Sequence, residues 1–93
     1  TIAAQDPKYV YIVGAPILAV EILSPSDTQE LVTKKLRTYL DAGVKSVWIV
    51  DPDIETITVH QPHAEPVMLR KSDEMVGDPH LPGLRFPVAS VFE

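Results

Sequence analysis

Hydrophobic and polar positions divide the chain into short extended runs and one long amphipathic segment. Residues 17–23 are apolar at nearly every position, a pattern typical of a strand covered on both faces of an α/β sheet. Residues 44–50 form a second extended run, and residues 55–60 form a third that alternates between apolar and polar side chains. The last two runs are expected to pair as a hairpin across residues 51–54.

Between these runs the pattern changes to the period of an amphipathic helix. Asp27 is followed three residues later by Glu30, which is the spacing of a capping box, so a helix is expected to begin there. The helix is expected to run to about Ala42 and to end at Gly43, because glycine is favoured just after a helix C-terminus.

Weaker patterns occupy the two ends of the chain. Residues 1–4 and 9–13 are predicted strands, and residues 65–71 are a weaker strand candidate. Residues 73–83 are predicted to be a loop, and residues 84–93 a short extended piece with a terminal turn. The resulting order β-β-β-α-β-β-β predicts one α/β domain over residues 1–93, with a mixed sheet and one long helix.

Two charged residues lie where this pattern predicts apolar ones. Glu21 interrupts the apolar run at residues 17–23. On a helical wheel with Leu31 at zero, Lys35 lies near ~40°, inside an apolar arc from about 0° to 180°, whereas Lys34 lies on the solvent side. Burying an unpaired carboxylate or ammonium costs on the order of several kcal/mol. Glu21 and Lys35 therefore either form a structural pair or build a site, and these residues alone leave both alternatives open.

As a site, the two residues fit metal-dependent phosphodiester cleavage. Glu21 would supply hard oxygen ligands for Mg²⁺ or Mn²⁺. Lys35 would orient or deprotonate an attacking water, or stabilise charge that develops on a phosphate. The alternative for Lys35 is a side chain that lays its stem on the core and extends its ammonium into water.

Other side chains are better explained by structure than by chemistry. The three histidines lack the spacing of a zinc site, and no serine has the partners of a catalytic triad. Asp51 could lie near the site, but an Asp-Pro pair is common in turns. Tyr39 and Trp48 are expected to be core aromatics.

Composition narrows the function classes only slightly. The 93 residues are 45% hydrophobic and 23% charged, as in an ordinary globular domain, and the absence of cysteine excludes disulfides and thiolate metal sites. No apolar run approaches the roughly 20 residues needed to span a bilayer, so a cytoplasmic location is expected. The net charge of −5 disfavours non-specific binding of polyanions, but it leaves room for a nuclease whose metal ions supply positive charge.

Three motifs together resemble the signature of the Uma-two family of restriction endonuclease-like proteins. These motifs are GAPILAVEILSPSD at 14–27, KLRTYLDAGV at 35–44 and VWIVDP at 47–52, with a weaker LPGL at 81–84. The family belongs to the PD-(D/E)xK nuclease superfold. The resemblance implies a restriction-endonuclease-like α/β fold, hydrolysis of DNA and dependence on Mg²⁺ or Mn²⁺.

The resemblance also assigns roles to residues of this chain. Glu21 matches the metal-binding acid of the (D/E)xK element. The superfold's lysine position, two residues further on, is Leu23 here. Lys35 instead matches a lysine that this family carries on the following helix, which is the residue that the helical wheel had already placed inward.

The family's first metal-binding aspartate is missing from its expected place. It usually lies in a Pro-Asp pair that would fall just before Thr1, and many relatives also have Pro-Asp where this chain has Pro16-Ile17. We therefore expect a DNA endonuclease domain that is incomplete at its N-terminus. The alternative is an inactive relative with a structural Glu21–Lys35 pair that self-associates through its sheet edges. DNA and further copies of the chain, in a homo-oligomer, are the expected partners, and a membrane is not.

Overall fold

A computed structural model describes residues 17–93, so the strands predicted at 1–4 and 9–13 lie outside the described residues. The elements in chain order are β1 (Leu18–Ile22), α1 (Gln29–Asp41), β2 (Ser46–Asp51), β3 (Thr56–His60), β4 (Val67–Leu69), β5 (Glu74–Val76) and β6 (Arg85–Pro87), followed by a 3-10 turn at Val88–Val91. In this part of the chain no helix has the length and apolarity needed to cross a membrane.

Strands β1 to β4 form one mixed sheet in the order β1-β2-β3-β4. β1 and β2 are parallel, with α1 as the crossover between them, whereas β3 is antiparallel to both β2 and β4. The hairpin predicted across residues 51–54 is confirmed, with Asp51 opposite Thr56. The predicted α/β class, with a mixed sheet and a long helix after the Glu21 strand, is also confirmed.

Strand β2 contributes to two apolar layers, because successive side chains of a strand point to opposite faces. One layer lies under α1, and its buried members are Ala19, Tyr39, Val44, Val47 and Ile49. The other layer lies on the opposite face, towards β5 and β6, and its buried members are Trp48, Val50, Ile57, Met75 and Val88. Glu21 is two residues after Ala19 and therefore shares its face of β1, which places its side chain in the layer under α1.

The helix begins one residue later than predicted. Its N-cap is Thr28, whose Oγ1 accepts a hydrogen bond from the backbone N–H of Leu31 at 3.2 Å. The prediction of Asp27 as the cap was wrong, because its carboxylate closes the preceding turn by accepting the backbone N–H of Ser24 at 2.8 Å. The predicted C-terminus is confirmed by the positive φ of 96° at Gly43, a conformation that glycine adopts without strain.

The prediction of a loop over residues 73–83 was wrong in part. β5 lies within it and pairs with β6, placing Met75 opposite Phe86. The strand has three residues, too few to show an alternating pattern, and only the packing of Met75 into the second apolar layer reveals it. The weak strand predicted over residues 65–71 is present, but it is limited to Val67–Leu69.

Candidate active site

Glu21 presents a carboxylate inside the apolar layer under α1. Its Cα is opposite Ile49 of β2, and its side chain is only 6% exposed. A carboxylate at this depth requires polar partners, because desolvation penalises its charged form.

Lys35 of α1 is the first of these partners. Its Nζ donates a hydrogen bond to Glu21 Oε1 at 2.6 Å, a distance typical of a charge-assisted bond. The side chain of Lys35 is 28% exposed, so the ammonium lies at the boundary between the apolar layer and solvent. The structure therefore joins the two charged residues that the sequence singled out, one from β1 and one from α1.

Tyr39 is the second partner and was expected only to fill the core. It is buried, and its Oη donates to Glu21 Oε2 at 3.3 Å, so each oxygen of the carboxylate has a bonding partner. Tyr39 follows Lys35 by four residues, a spacing that puts both side chains on one face of a helix. That spacing was the available sequence signal for its polar role.

The electrostatics of the cluster keep the two donors protonated at neutral pH. The hydrogen bond to Glu21 raises the pKa of Lys35 and outweighs the opposing effect of partial burial, while the charges of Glu21 and Asp27 add to the increase. Burial, together with the nearby charge of Glu21, raises the pKa of Tyr39 to about 12. An ammonium and a phenol therefore face the carboxylate as hydrogen-bond donors.

Asp27 is a second carboxylate at the site, and the sequence reasoning assigned it only to helix capping. Its Oδ1 lies 3.7 Å from Lys35 Nζ, and its side chain is 9% exposed. Its Oδ2 accepts hydrogen bonds from both the backbone N–H and the hydroxyl of Ser24, at 2.8 and 3.1 Å. The turn after β1 thus holds this carboxylate beside the ammonium.

An open pocket of about 530 Å³ adjoins this cluster at the carboxyl ends of β1 and β2. Its lining consists of Leu23, Ser24, Pro25, Asp27, Asp51, Pro52 and Asp53. Asp51 has the turn role that was expected of it, since its Oδ1 accepts the backbone N–H of Asp53 at 3.0 Å. Asp27 belongs both to this lining and to the surroundings of the Lys35 ammonium.

The carboxylates suit a hard divalent cation only in part. Within residues 17–93 no group of three or more His, Cys, Asp or Glu side chains could hold a metal ion. Mg²⁺, however, is often held by one or two carboxylates, with water and substrate phosphates completing its coordination. Glu21 fits as one such ligand, with Asp27 on the other side of the Lys35 ammonium.

Comparison with known proteins agrees with this architecture. Residues 3–89 match the model of the Uma2 family, described as "Putative restriction endonuclease". The fold is similar to a crystal structure from Anabaena variabilis ATCC 29413, described as "a putative nuclease belonging to DUF820", with a TM-score of 0.75 and 26% identity. The alignment covers 90% of this chain and 49% of that one, so the chain spans about half the length of this relative. No curated protein gives a significant match.

Proposed function

The chain belongs to the Uma2 family, and from this membership we propose that the protein is a metal-dependent endonuclease that hydrolyses phosphodiester bonds in DNA. The observation that carries the proposal is the hydrogen-bonded pair of Glu21 and Lys35, which brings a buried carboxylate and an inward ammonium together beside an open pocket. Carboxylate and lysine side chains are the functional groups that metal-dependent phosphate chemistry uses.

In this proposal Glu21 is a metal ligand and Lys35 is a hydrogen-bond donor. A divalent cation bound at Glu21 would polarise a phosphate oxygen and stabilise the charge that develops there. Lys35 keeps its proton at neutral pH, because its hydrogen bond to Glu21 raises its pKa. It is therefore suited to orient a water or to stabilise a phosphate oxygen, and less suited to remove a proton from the attacking water.

The acidic charge of the chain and of the pocket supports a requirement for a cation in DNA binding at this place. The net charge is −5, and the described pocket includes Asp27, Asp51 and Asp53 but neither lysine nor arginine. Phosphate groups approach such a surface favourably only when bound cations reverse its local charge. We therefore expect DNA binding, as well as cleavage, to require Mg²⁺ or Mn²⁺.

The first experiment is Mn²⁺ titration calorimetry at neutral pH on the protein and on its Glu21→Gln variant. We expect Glu21→Gln to weaken binding by at least about 10-fold, because it removes the ligand charge while keeping the shape of the side chain. Glu30→Gln is the matched control, since Glu30 is exposed on α1 and its loss should leave Mn²⁺ affinity unchanged. Equal affinities in wild type and Glu21→Gln would refute the role of Glu21.

Cleavage of supercoiled plasmid tests Lys35 separately. We expect Lys35→Met to lower the nicking rate by about 100-fold, the effect of removing one donor that stabilises developing charge. Lys34→Met is the control, because Lys34 is exposed on the same helix and carries the same charge. Equal loss in both variants would trace the effect to overall charge and contradict the proposed role of Lys35.

Self-association without catalysis is the second candidate function. It is favoured by β4, the last strand of the sheet in the described part of the chain, where Val67 is 54% and Met68 52% exposed. An uncovered edge of this kind can pair with another chain. If analytical ultracentrifugation shows a homo-oligomer that Met68→Lys dissociates, and wild type binds no Mn²⁺, this function replaces the nuclease.

A further inference from the structure

We propose that Asp27 is a positioning residue for Lys35, which receives the ammonium when a divalent cation binds Glu21. The inference rests on the proposed function, because it assumes that Glu21 is a metal ligand. It adds a residue that neither the motif comparison nor the helical wheel assigned to the site. Asp27 acts through the lysine and does not itself bind the metal.

The Asp27 carboxylate is held in place before any ligand arrives. Both the backbone N–H and the hydroxyl of Ser24 donate to Oδ2, at 2.8 and 3.1 Å, and the side chain is 9% exposed. These bonds orient the second oxygen, Oδ1, towards Lys35 Nζ at 3.7 Å. A carboxylate anchored in this way can accept a cation without paying the entropy of ordering its own side chain.

The ammonium lies between two carboxylates at unequal distances. It is hydrogen-bonded to Glu21 at 2.6 Å and is only in ion-pair range of Asp27 at 3.7 Å. A divalent cation at Glu21 would repel the ammonium from Oε1. A movement of roughly 1 Å would then bring Nζ within the ~2.8 Å of a charge-assisted bond to Asp27.

This short movement has two consequences for the site. Because Asp27 lines the open pocket, the ammonium would remain beside the space in which a phosphate could lie. Because the ammonium would have a second partner, its competition with the metal for Glu21 would be weakened. Without the Asp27 charge, the metal would have to displace Lys35 into water, and we expect metal affinity to fall.

A double-mutant cycle on the protein tests whether Asp27 affects metal binding through Lys35. Mn²⁺ affinity is measured by calorimetry for wild type, Asp27→Asn, Lys35→Met and the double variant. We expect Asp27→Asn to weaken binding on the order of 10-fold when Lys35 is present and by less than about 2-fold when it is absent. Asparagine keeps an oxygen that can accept from Ser24, so the turn is retained. Asp41→Asn is the control and should leave the affinity unchanged, because Asp41 is exposed at the end of α1 and lies outside the pocket lining.

Two results of the cycle would overturn the inference. An equal loss with and without Lys35 would make Asp27 a direct metal ligand, and no loss in either background would leave it without a role. If wild type binds no Mn²⁺, the proposed metal site and the movement of Lys35 both fail. Binding that Asp27→Asn does not weaken contradicts only the role of Asp27.

Nuclear magnetic resonance of the Lys35 ammonium supplies a readout that a purely structural role would not change. Ammonium protons are visible when a hydrogen bond protects them from exchange with water. We expect Mg²⁺ to shift the Lys35 signal in wild type and to abolish it in Asp27→Asn, where the displaced ammonium becomes hydrated. Retention of the signal in the Mg²⁺-bound Asp27→Asn protein would overturn the inference.

Discussion

Glu21 shows how one residue can be charged and buried at once in this protein. Its two oxygens are bonded to different donors, Lys35 Nζ and Tyr39 Oη, which come from successive turns of α1. In the described part of the chain no buried side-chain nitrogen or oxygen lacks a hydrogen-bond partner. A buried carboxylate that is hydrogen-bonded at both oxygens tolerates loss of its partners less well than replacement of the carboxylate itself.

Substitution of Lys35 should therefore lower the stability of the protein more than substitution of Glu21. We expect Lys35→Met to lower the free energy of unfolding by about 2 kcal/mol, because it leaves the buried Glu21 charge with only the Tyr39 bond. Glu21→Gln should cost about 1 kcal/mol, because the amide still accepts a hydrogen bond and the lysine can reach water. Urea denaturation measures both values, with the exposed Lys34→Met as the control. A larger loss for Glu21→Gln than for Lys35→Met would contradict this asymmetry.

Tyr39 provides a spectroscopic measure of the same carboxylate. Its pKa is raised to about 12, first by burial and then by the charge of Glu21. Above about pH 10 the tyrosine of the unfolded chain loses its proton, whereas Tyr39 in the folded protein keeps its proton up to about pH 12. The free energy of unfolding should therefore fall as the pH rises from about 10 to about 12. The pKa of Tyr39 can be measured by ultraviolet titration, with the titration of the Tyr39→Phe variant subtracted to remove the other tyrosines. We expect Glu21→Gln to lower this pKa, because the variant lacks the nearby negative charge. An unchanged value would mean that burial alone raises it.

At the scale of elements, two neighbouring residues at the start of α1, Asp27 and Thr28, have different structural roles. Thr28 caps the helix by accepting the N–H of Leu31, while Asp27 closes the preceding turn and faces Lys35. Both residue types favour N-cap positions, and only Asp27 has an acid three residues later. That spacing predicted Asp27 as the N-cap. In the structure its carboxylate accepts the backbone N–H of Ser24 and therefore does not cap the helix.

Substitution of the cap should affect the helix specifically. We expect Thr28→Ala to lower the free energy of unfolding by about 1 kcal/mol, because the N–H of Leu31 loses its acceptor. Thr33→Ala is the matched control, since Thr33 is exposed within α1 and alanine favours a helix, so its effect should stay within about 0.5 kcal/mol of zero. Denaturation followed by circular dichroism measures both. Equal values would show that the cap bond does not contribute to stability.

The length and burial of a strand decide whether it can be predicted from the sequence pattern of apolar and polar residues. β2 and β3 have six and five residues, and their hairpin was predictable from the extended runs on either side of an Asp-Pro turn. β5 has three residues, with only Met75 buried, so its own sequence carries almost no periodic signal. Its existence depends on pairing with β6 and on packing against the second apolar layer.

At the scale of the whole molecule, the sheet separates the polar cluster from a second core. α1 covers the face that contains Glu21, and β5 and β6 cover the face that contains Trp48. His60 ends β3 and is partly buried, and this burial lowers its pKa. A histidine with a lowered pKa couples the stability of the whole fold to mild acid.

The pH dependence follows from the sign of that shift. Below about pH 6.5 the unfolded chain takes up a proton at His60 that the folded protein resists, so stability should fall as the pH decreases. We expect His60→Gln to reduce the loss of Tm between about pH 7 and 5. The control is His63→Asn, because His63 is exposed and its positive φ of 60° is tolerated by asparagine. An equal loss in wild type and His60→Gln would assign the dependence to other groups.

The sequence by itself determined the α/β class, the helix with its glycine stop, the hairpin and the two anomalous charges. All of these features can be predicted from the local periodicity of apolar residues or from the residue types that end helices and strands. The contact of Tyr39 with Glu21, the approach of Asp27 to Lys35 and the pairing of β5 with β6 were decided only by the tertiary structure. The physical reason is that a local pattern specifies which face of an element is buried, whereas the distance between two side chains on different elements depends on how those elements pack.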